Sequence, residues 1–324
     1  MLKIGVIGYG YWGPNVLRNF NHIDRVRVCS VCDCDAKAIQ RAKKATGEID
    51  FVSDYREITD SRYIDVVAIV TPVSTHYEIA KRSLMNGKHV FVEKPFTVKS
   101  SQAEELISLA SKKKLIIMVD HTFLFTDAVR KIKEVINQNV LGDLYYYDST
   151  RINLGLFQHD VNIIWDLAPH DLSIMDFVLK EKPIAISALG ISHFNKKLED
   201  TAYIVVHFNN NMIAHFNMNW LSPVKVRTTL IGGEKKMLVW NDLKADEKIK
   251  IYDKGVKVKN TESIYNLLVE YRSGDMYSPH INQVEALKNE TGYFIKCIED
   301  SLVPINDGHA GLRIVKMLEA ADKS

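Results

Sequence analysis

Ile4-Gly5-Val6-Ile7-Gly8-Tyr9-Gly10-Tyr11-Trp12-Gly13 is the stretch on which the fold turns. A short apolar run leads into glycines spaced G-x-G-x-x-G, and Pro14 follows at a position acceptable in the first turn of a helix. In such a strand–turn–helix, Gly8 permits the tight turn, Gly10 lets the backbone approach a pyrophosphate and Gly13 allows close helix–strand contact. The first-turn N–H groups beside Tyr11 and Trp12 then meet the negative charge. Asp33 stands about 20 residues beyond Gly13, at the end of the next apolar run, where a carboxylate would hydrogen-bond a ribose 2′-hydroxyl. That anion repels a 2′-phosphate, so the expected cofactor is NAD rather than NADP.

Working outward, the apolar runs Ile4 to Ile7, Val26 to Cys32, Val66 to Val70, Val90 to Val92 and Leu115 to Val119 alternate with helix-like segments. Near-continuous Val/Ile runs indicate strands buried on both faces, and their alternation with helices predicts a doubly wound parallel sheet. Ser74 or Thr75 would cap one connecting helix, with Gly87 beyond its end, and another runs from about Ser100 to Lys113. The pattern changes near residue 121. A helix near Val129 to Asn139, stopped by Gly142, precedes runs of mixed polarity: Leu144 to Ile152, Ile184 to Ile191, Ala202 to Phe208, Ile213 to Trp220, Lys225 to Ile231 and Lys236 to Val239. With Asn209-Asn210-Asn211 as a hairpin signal, they predict a large, mainly antiparallel open sheet. Helices return after Pro279 and after His309. The fold class is therefore α/β, with a Rossmann domain over 1–121 and a second α/β domain over 122–324.

Composition removes several function classes. In 324 residues, 42 Lys and Arg oppose 40 Asp and Glu, a balance that gives no general pull toward nucleic acid or an anionic membrane. No apolar stretch approaches the ~18–20 residues that cross a bilayer, and the glycine turn comes too soon after Met1 for a signal peptide. A cytoplasmic protein with reduced cysteines is expected. Cys29, Cys32 and Cys34 lie along or just after one predicted strand, whose side chains alternate between faces, so no metal site is expected.

Four further places carry candidate chemistry. Glu93-Lys94-Pro95 ends the fourth apolar run, at the carboxyl edge where open α/β sheets bind ligands; a lysine beside nicotinamide is suited to exchange a hydroxyl proton. Asp166 and His170, at i and i+4, share a face if their segment is helical, although Pro169 would kink the middle of a helix. His121 follows the fifth run, near where nicotinamide belongs. Arg151, near the end of the Leu144 to Ile152 run, offers a planar fork of donors to a diphosphate or sugar carboxylate, with Asn153 following at the start of the next loop.

Together Gly8-x-Gly10-x-x-Gly13, Thr71-Pro72, Glu93-Lys94-Pro95, Asp166-x-x-x-His170 and Pro304-Ile305-Asn306-Asp307-Gly308 resemble the Gfo/Idh/MocA oxidoreductase family across essentially the whole chain. The resemblance implies cofactor contacts at Thr71, Pro72, His76 and Glu93, proton handling by Lys94 and His170, and a second domain that binds substrate and often assembles a homodimer or homotetramer. Family members often carry glycines around the Asp-to-His motif where this chain has Ile164-Trp165 and Ala168-Pro169. The stretch Arg151 to Asp171 is similar to members acting on nucleotide-linked amino sugars in bacterial surface-sugar pathways. It implies oxidation of a 3-hydroxyl, with UDP-N-acetylglucosamine the leading substrate and an aminotransferase downstream. The rival expectations are a polyol such as inositol, reduction of a 3-keto deoxysugar, and an NAD-binding regulator without catalysis.

Overall fold

Alternating strands and helices fill the first 120 residues of the computed structural model, which describes residues 1–46, 49–155, 158, 160–194, 198–258 and 269–324. The elements are β1 (Leu2–Ile7), α1 (Gly13–Asn21), β2 (Val26–Cys32), α2 (Ala36–Ala45), β3 (Asp50–Val52), α3 (Arg56–Thr59), β4 (Val66–Ile69), α4 (Val73–Met85), β5 (His89–Glu93), α5 (Ser100–Lys113) and β6 (Ile117–Asp120). All strand pairings are parallel, in the order β3-β2-β1-β4-β5-β6. Val6, Val66, Val67, Ile69, Phe91 and Val119 have no exposed surface, as expected of strands covered on both faces. The sequence reading missed β3, whose three residues are too few to show a pattern. It also placed a side-chain cap on α4 that the structure does not use: the helix begins at Val73 with Pro72 as its cap residue. Gly87, at φ +75°, does follow the end of α4.

The second sheet follows α6 (Asp127–Asn137) and comprises β7 (Leu144–Leu154), then, after α7 (Ile163–Val178), β8 (Ala185–Ile191), β9 (Thr201–His207), β10 (Ile213–Asn219), β11 (Leu221–Gly233), β12 (Met237–Asn241), β13 (Ile249–Val258) and β14 (Val269–Tyr277). Its order is β14-β13-β12-β11-β7-β10-β9-β8, antiparallel except for β7 with β10. Asn209 to Asn211 form the expected hairpin, with Asn211 at φ +58°. The register aligns Ile152, Asn219, Thr201 and Ile191 across four strands. One end of the sheet therefore gathers the end of β7, the end of β8 and the segment leading into β9.

The chain divides into one unit of Met1–Phe125 with Glu285–Glu319 and another of Thr126–Val284 with Ala320–Ser324. A single cut at residue 121 does not describe this: α8 (Ala286–Glu299) and most of α9 (Gly308–Lys323) return to the first unit. The physical reason is aromatic packing, since Phe294 meets Phe91 at 5.6 Å and Phe20 at 6.4 Å between ring centroids. No helix among the described residues is long and apolar enough to cross a membrane.

Candidate active site

In the first unit the glycine turn is fixed from both sides. A Cβ on Gly8, at φ +101°, would lie 2.3 Å from the Val70 carbonyl oxygen, and one on Gly13 would lie 2.4 Å from that of Gly8. At Gly10 nothing stands within 4 Å. The first and third glycines are thus demanded by the protein's own packing, whereas the second leaves open the space that a pyrophosphate needs. Tyr11 is exposed, and Trp12, the cap residue of α1, donates its indole N–H to Asp120 at 3.0 Å.

Asp33 is clamped where a ribose carboxylate is required. Its Oδ2 accepts the Tyr9 N–H at 2.7 Å and its Oδ1 the Asp35 N–H at 2.8 Å. Each oxygen keeps a further lone pair for a ligand hydroxyl. Gly turn, open Gly10 and fixed Asp33 fit the adenosine half of NAD.

Thr71 and Pro72 connect β4 to α4, and the Thr71 and Thr75 hydroxyls meet at 2.7 Å. His76 was expected to touch the cofactor, but it is buried in the protein. Its Nδ1 lies 2.9 Å from the Pro95 carbonyl and its Nε2 2.8 Å from that of Thr71. Burial pulls its pKa down, against the opposing pull of those carbonyls. It ties the Thr71-Pro72 turn to the turn that follows β5. There Lys94, partly exposed, gives its backbone N–H to the Glu93 carboxylate and precedes Pro95 through a cis peptide. His121, expected beside nicotinamide, is only 2% exposed and offers a ligand little surface.

In the second unit, Asn162 starts α7 by accepting the Trp165 N–H at 3.0 Å, while its own amide holds Glu199 at 2.9 Å. Asp166, Leu167 and His170 are half-buried while Trp165, Ala168 and Pro169 are buried, so the carboxylate and imidazole do share one face. Pro169 lies inside the helix, whose course is kept on the far side of it by buried Leu172, Ile174 and Met175.

Arg151 is paired within the protein. Its Nε and Nη2 make 2.7 and 2.8 Å bonds to the two oxygens of Asp171, and both side chains are about 95% buried, at 5% and 4% exposure. The edge of the guanidinium expected to meet a diphosphate instead bolts β7 to α7, one residue beyond His170. Asn153 packs over Gly155, where a Cβ would stand 2.8 Å from the Asn153 amide. Residues 156, 157 and 159 of the loop after β7 lie outside the described residues. A cavity of about 880 Å³ in this unit, lined by Asp127, Asp242, Lys244 and His280 among others, contains none of the expected site residues.

Two groups escaped the sequence reading. His193, just past β8, receives the Asp200 carboxylate on both its backbone N–H and its Nδ1, each at 2.7 Å. Glu290 occupies the buried stripe of α8 with Leu287, Thr291 and Phe294, itself entirely buried. A lone acid at core spacing was the available signal.

Two family models match the chain: the oxidoreductase family with an NAD-binding Rossmann fold over residues 2–121, and the GFO/IDH/MocA C-terminal domain over 129–239. UDP-N-acetylglucosamine 3-dehydrogenase of Acidithiobacillus ferrooxidans is 27% identical over 217 residues, 66% of each chain. The solved structure of that enzyme superposes with a TM-score of 0.80 at 23% identity, covering 99% of this chain and 96% of the other. An oxidoreductase from Agrobacterium radiobacter, solved with NAD+, L-tartaric acid and magnesium, gives 0.82 at 16% identity, covering 100% and 96%. The chain spans between 35% and 66% of the length of the curated relatives it matches.

Proposed function

The chain belongs to the GFO/IDH/MocA oxidoreductase family, with that family's NAD-binding Rossmann fold, and from that premise we propose that it oxidises the 3-hydroxyl of a nucleotide-linked amino sugar, UDP-N-acetylglucosamine first among them. The observation that carries this reading is the similarity to UDP-N-acetylglucosamine 3-dehydrogenase in both sequence and fold. Bound NAD supplies the hydride acceptor. The chain's own part is to hold the sugar and remove a proton, so that a secondary alcohol becomes a ketone as one hydride and one proton depart. Lys94 is the group to which we assign removal of the hydroxyl proton. Asp166 and His170 present a carboxylate and an imidazole from one face of α7, and His170 is the second proton carrier. With Arg151 engaged by Asp171, the donors we assign to the nucleotide are Asn153 and His193, both at the end of the second sheet where α7 begins. The 3-keto product is a substrate for an aminotransferase.

The exposed Tyr203, Ile213 and Leu230 of the second sheet suit a homodimer or homotetramer interface. Sedimentation should accordingly return a multiple of the chain mass.

With NAD present, the UDP-sugar should give ketone, captured by a carbonyl-trapping reagent, at least about tenfold more efficiently than free N-acetylglucosamine or inositol. Oxidation of the free sugar alone, or no ketone from any nucleotide sugar, ends this reading. Asp33 carries a separate expectation: NAD binds at least ~10-fold tighter than NADP, about 1.4 kcal/mol. Titrating both cofactors checks it, and equal affinities would mean that Lys37 or Arg41 reads the 2′-phosphate.

A further inference from the structure

Where β11 runs beside β7, the register sets Arg227 directly opposite Arg151. The Asp242 N–H donates to the Arg227 carbonyl at 3.0 Å, which carries this row one strand further, to the end of β12. The row holds two ion pairs of different build. Arg151 spends two nitrogens on both oxygens of Asp171, deep in the protein. Arg227 Nη1 reaches one oxygen of Asp242 at 3.4 Å, longer than the ~2.7–2.9 Å of a charge-assisted bond, and the Arg227 side chain is 32% exposed. Asp242 is also shared: Lys248 Nζ stands 3.7 Å from its other carboxylate oxygen and donates to its carbonyl at 2.8 Å. Three cations and two carboxylates leave these five side chains with one positive charge in sum.

Like charges set opposite each other on neighbouring strands repel. Burial first, and then the Arg151 charge, pull the Arg227 pKa down while Asp242 opposes them, so an anion brought to Arg227 relieves the crowding. The sheet opens at the same place. Leu221 pairs with Leu154 and Val226 with Ile152, so Ser222 to Lys225 of β11 stand against the single residue Asn153 of β7. A bulge of this kind ends regular pairing and re-aims the residues beside it, and Arg227 is the second residue beyond it. Asp171, at the other end of the row, follows His170 on α7.

We propose that Arg227 binds the diphosphate of the nucleotide-linked sugar, the part that the sequence pointed to in Arg151. The assignment rests on the nucleotide-sugar reading and names the side chain that recognises the charge of that substrate. A guanidinium gives phosphate oxygens a planar fork of donors. When Arg227 turns to the phosphates, Asp242 keeps Lys248 as a cation. Turning Arg151 would instead take both bonds from Asp171, at 4% exposure. Asn153 and His193 remain donors for the rest of the nucleotide.

The test titrates UDP into the NAD-loaded protein by calorimetry, with NAD affinity and thermal unfolding measured on every variant. Arg227→Gln should weaken UDP binding at least about tenfold, the order expected when hydrogen bonds to a charged partner are lost. It should raise the KM for UDP-N-acetylglucosamine by a similar factor, more than it lowers turnover. Arg227→Lys, which keeps the charge without the fork, should fall between it and the native protein. Asp242→Asn separates binding from a structural role. It releases the guanidinium from that carboxylate, so UDP should bind at least as tightly as to the native protein, whereas an arginine that merely ties β11 to β12 through Asp242 would make both variants equally weak. If Arg227→Gln does not fold, Arg227→Lys and Asp242→Asn carry the test. Unchanged UDP binding in a folded Arg227→Gln, or weakened binding in a folded Asp242→Asn, overturns the assignment and leaves the nucleotide-sugar reading standing. No UDP binding by the native protein ends both.

Discussion

Replacing Lys94 with alanine is expected to lower turnover roughly 100-fold or more while NAD binds as before, because the change removes a proton acceptor and leaves the pyrophosphate turn intact. The side chain leaves β5 at the carboxyl edge of the parallel sheet, where doubly wound folds bind ligands. His76 anchors the turn on the Pro95 carbonyl, so the position of Lys94 is set from beneath. Rate and binding must be measured separately, since a variant that simply lost NAD would also turn over slowly. Lys94→Arg sharpens the result: it keeps a cation that can hold the sugar oxygen, but guanidinium does not accept a proton at ordinary pH. Both variants should therefore be slow, with Arg binding substrate better than Ala. Near-normal turnover in either would transfer proton removal to His170.

What could be read from sequence was whatever a local backbone requirement encodes. Gly8 and Gly13 are required by atoms of the same turn and of its neighbouring strand, and Asp33 follows from its place at a strand end. The i, i+4 relation of Asp166 and His170 also survives Pro169, since it depends only on helical geometry. Partnerships made by tertiary packing left no such signal. Arg151 meets Asp171 twenty positions away, and His76 meets the Pro95 carbonyl nineteen positions away, pairings that residue order does not announce. β13 was overlooked because Lys250, Asp253 and Lys254 break up its apolar residues. The return of α8 to the first unit rests on Phe294 meeting Phe20 and Phe91, and nothing in residue order announces which sheet a terminal helix covers.

Cutting the Arg151–Asp171 pair is expected to be the most destabilising single change in the second unit. Asp171→Ala would leave a guanidinium at 5% exposure without its carboxylate, and breaking such a buried pair costs about 3–5 kcal/mol. Arg151→Ala should cost a similar amount by stranding the carboxylate. Removing both charges is the informative step, because apolar residues of similar volume avoid desolvating either ion. Arg151→Met with Asp171→Leu should recover several kcal/mol relative to either single variant, as read from denaturant unfolding. Function should not recover with stability. The pair fixes α7 against β7 next to His170, and a helix free to shift by about 1 Å can cost roughly 100-fold in rate. The double variant should therefore unfold almost like the native protein, bind NAD normally and turn over slowly. An alternative outcome would restore the role first read from the sequence: if Arg151→Ala unfolds like the native protein and raises KM for the nucleotide sugar but not for a free sugar, Arg151 serves the diphosphate and its pairing with Asp171 gives way when substrate binds.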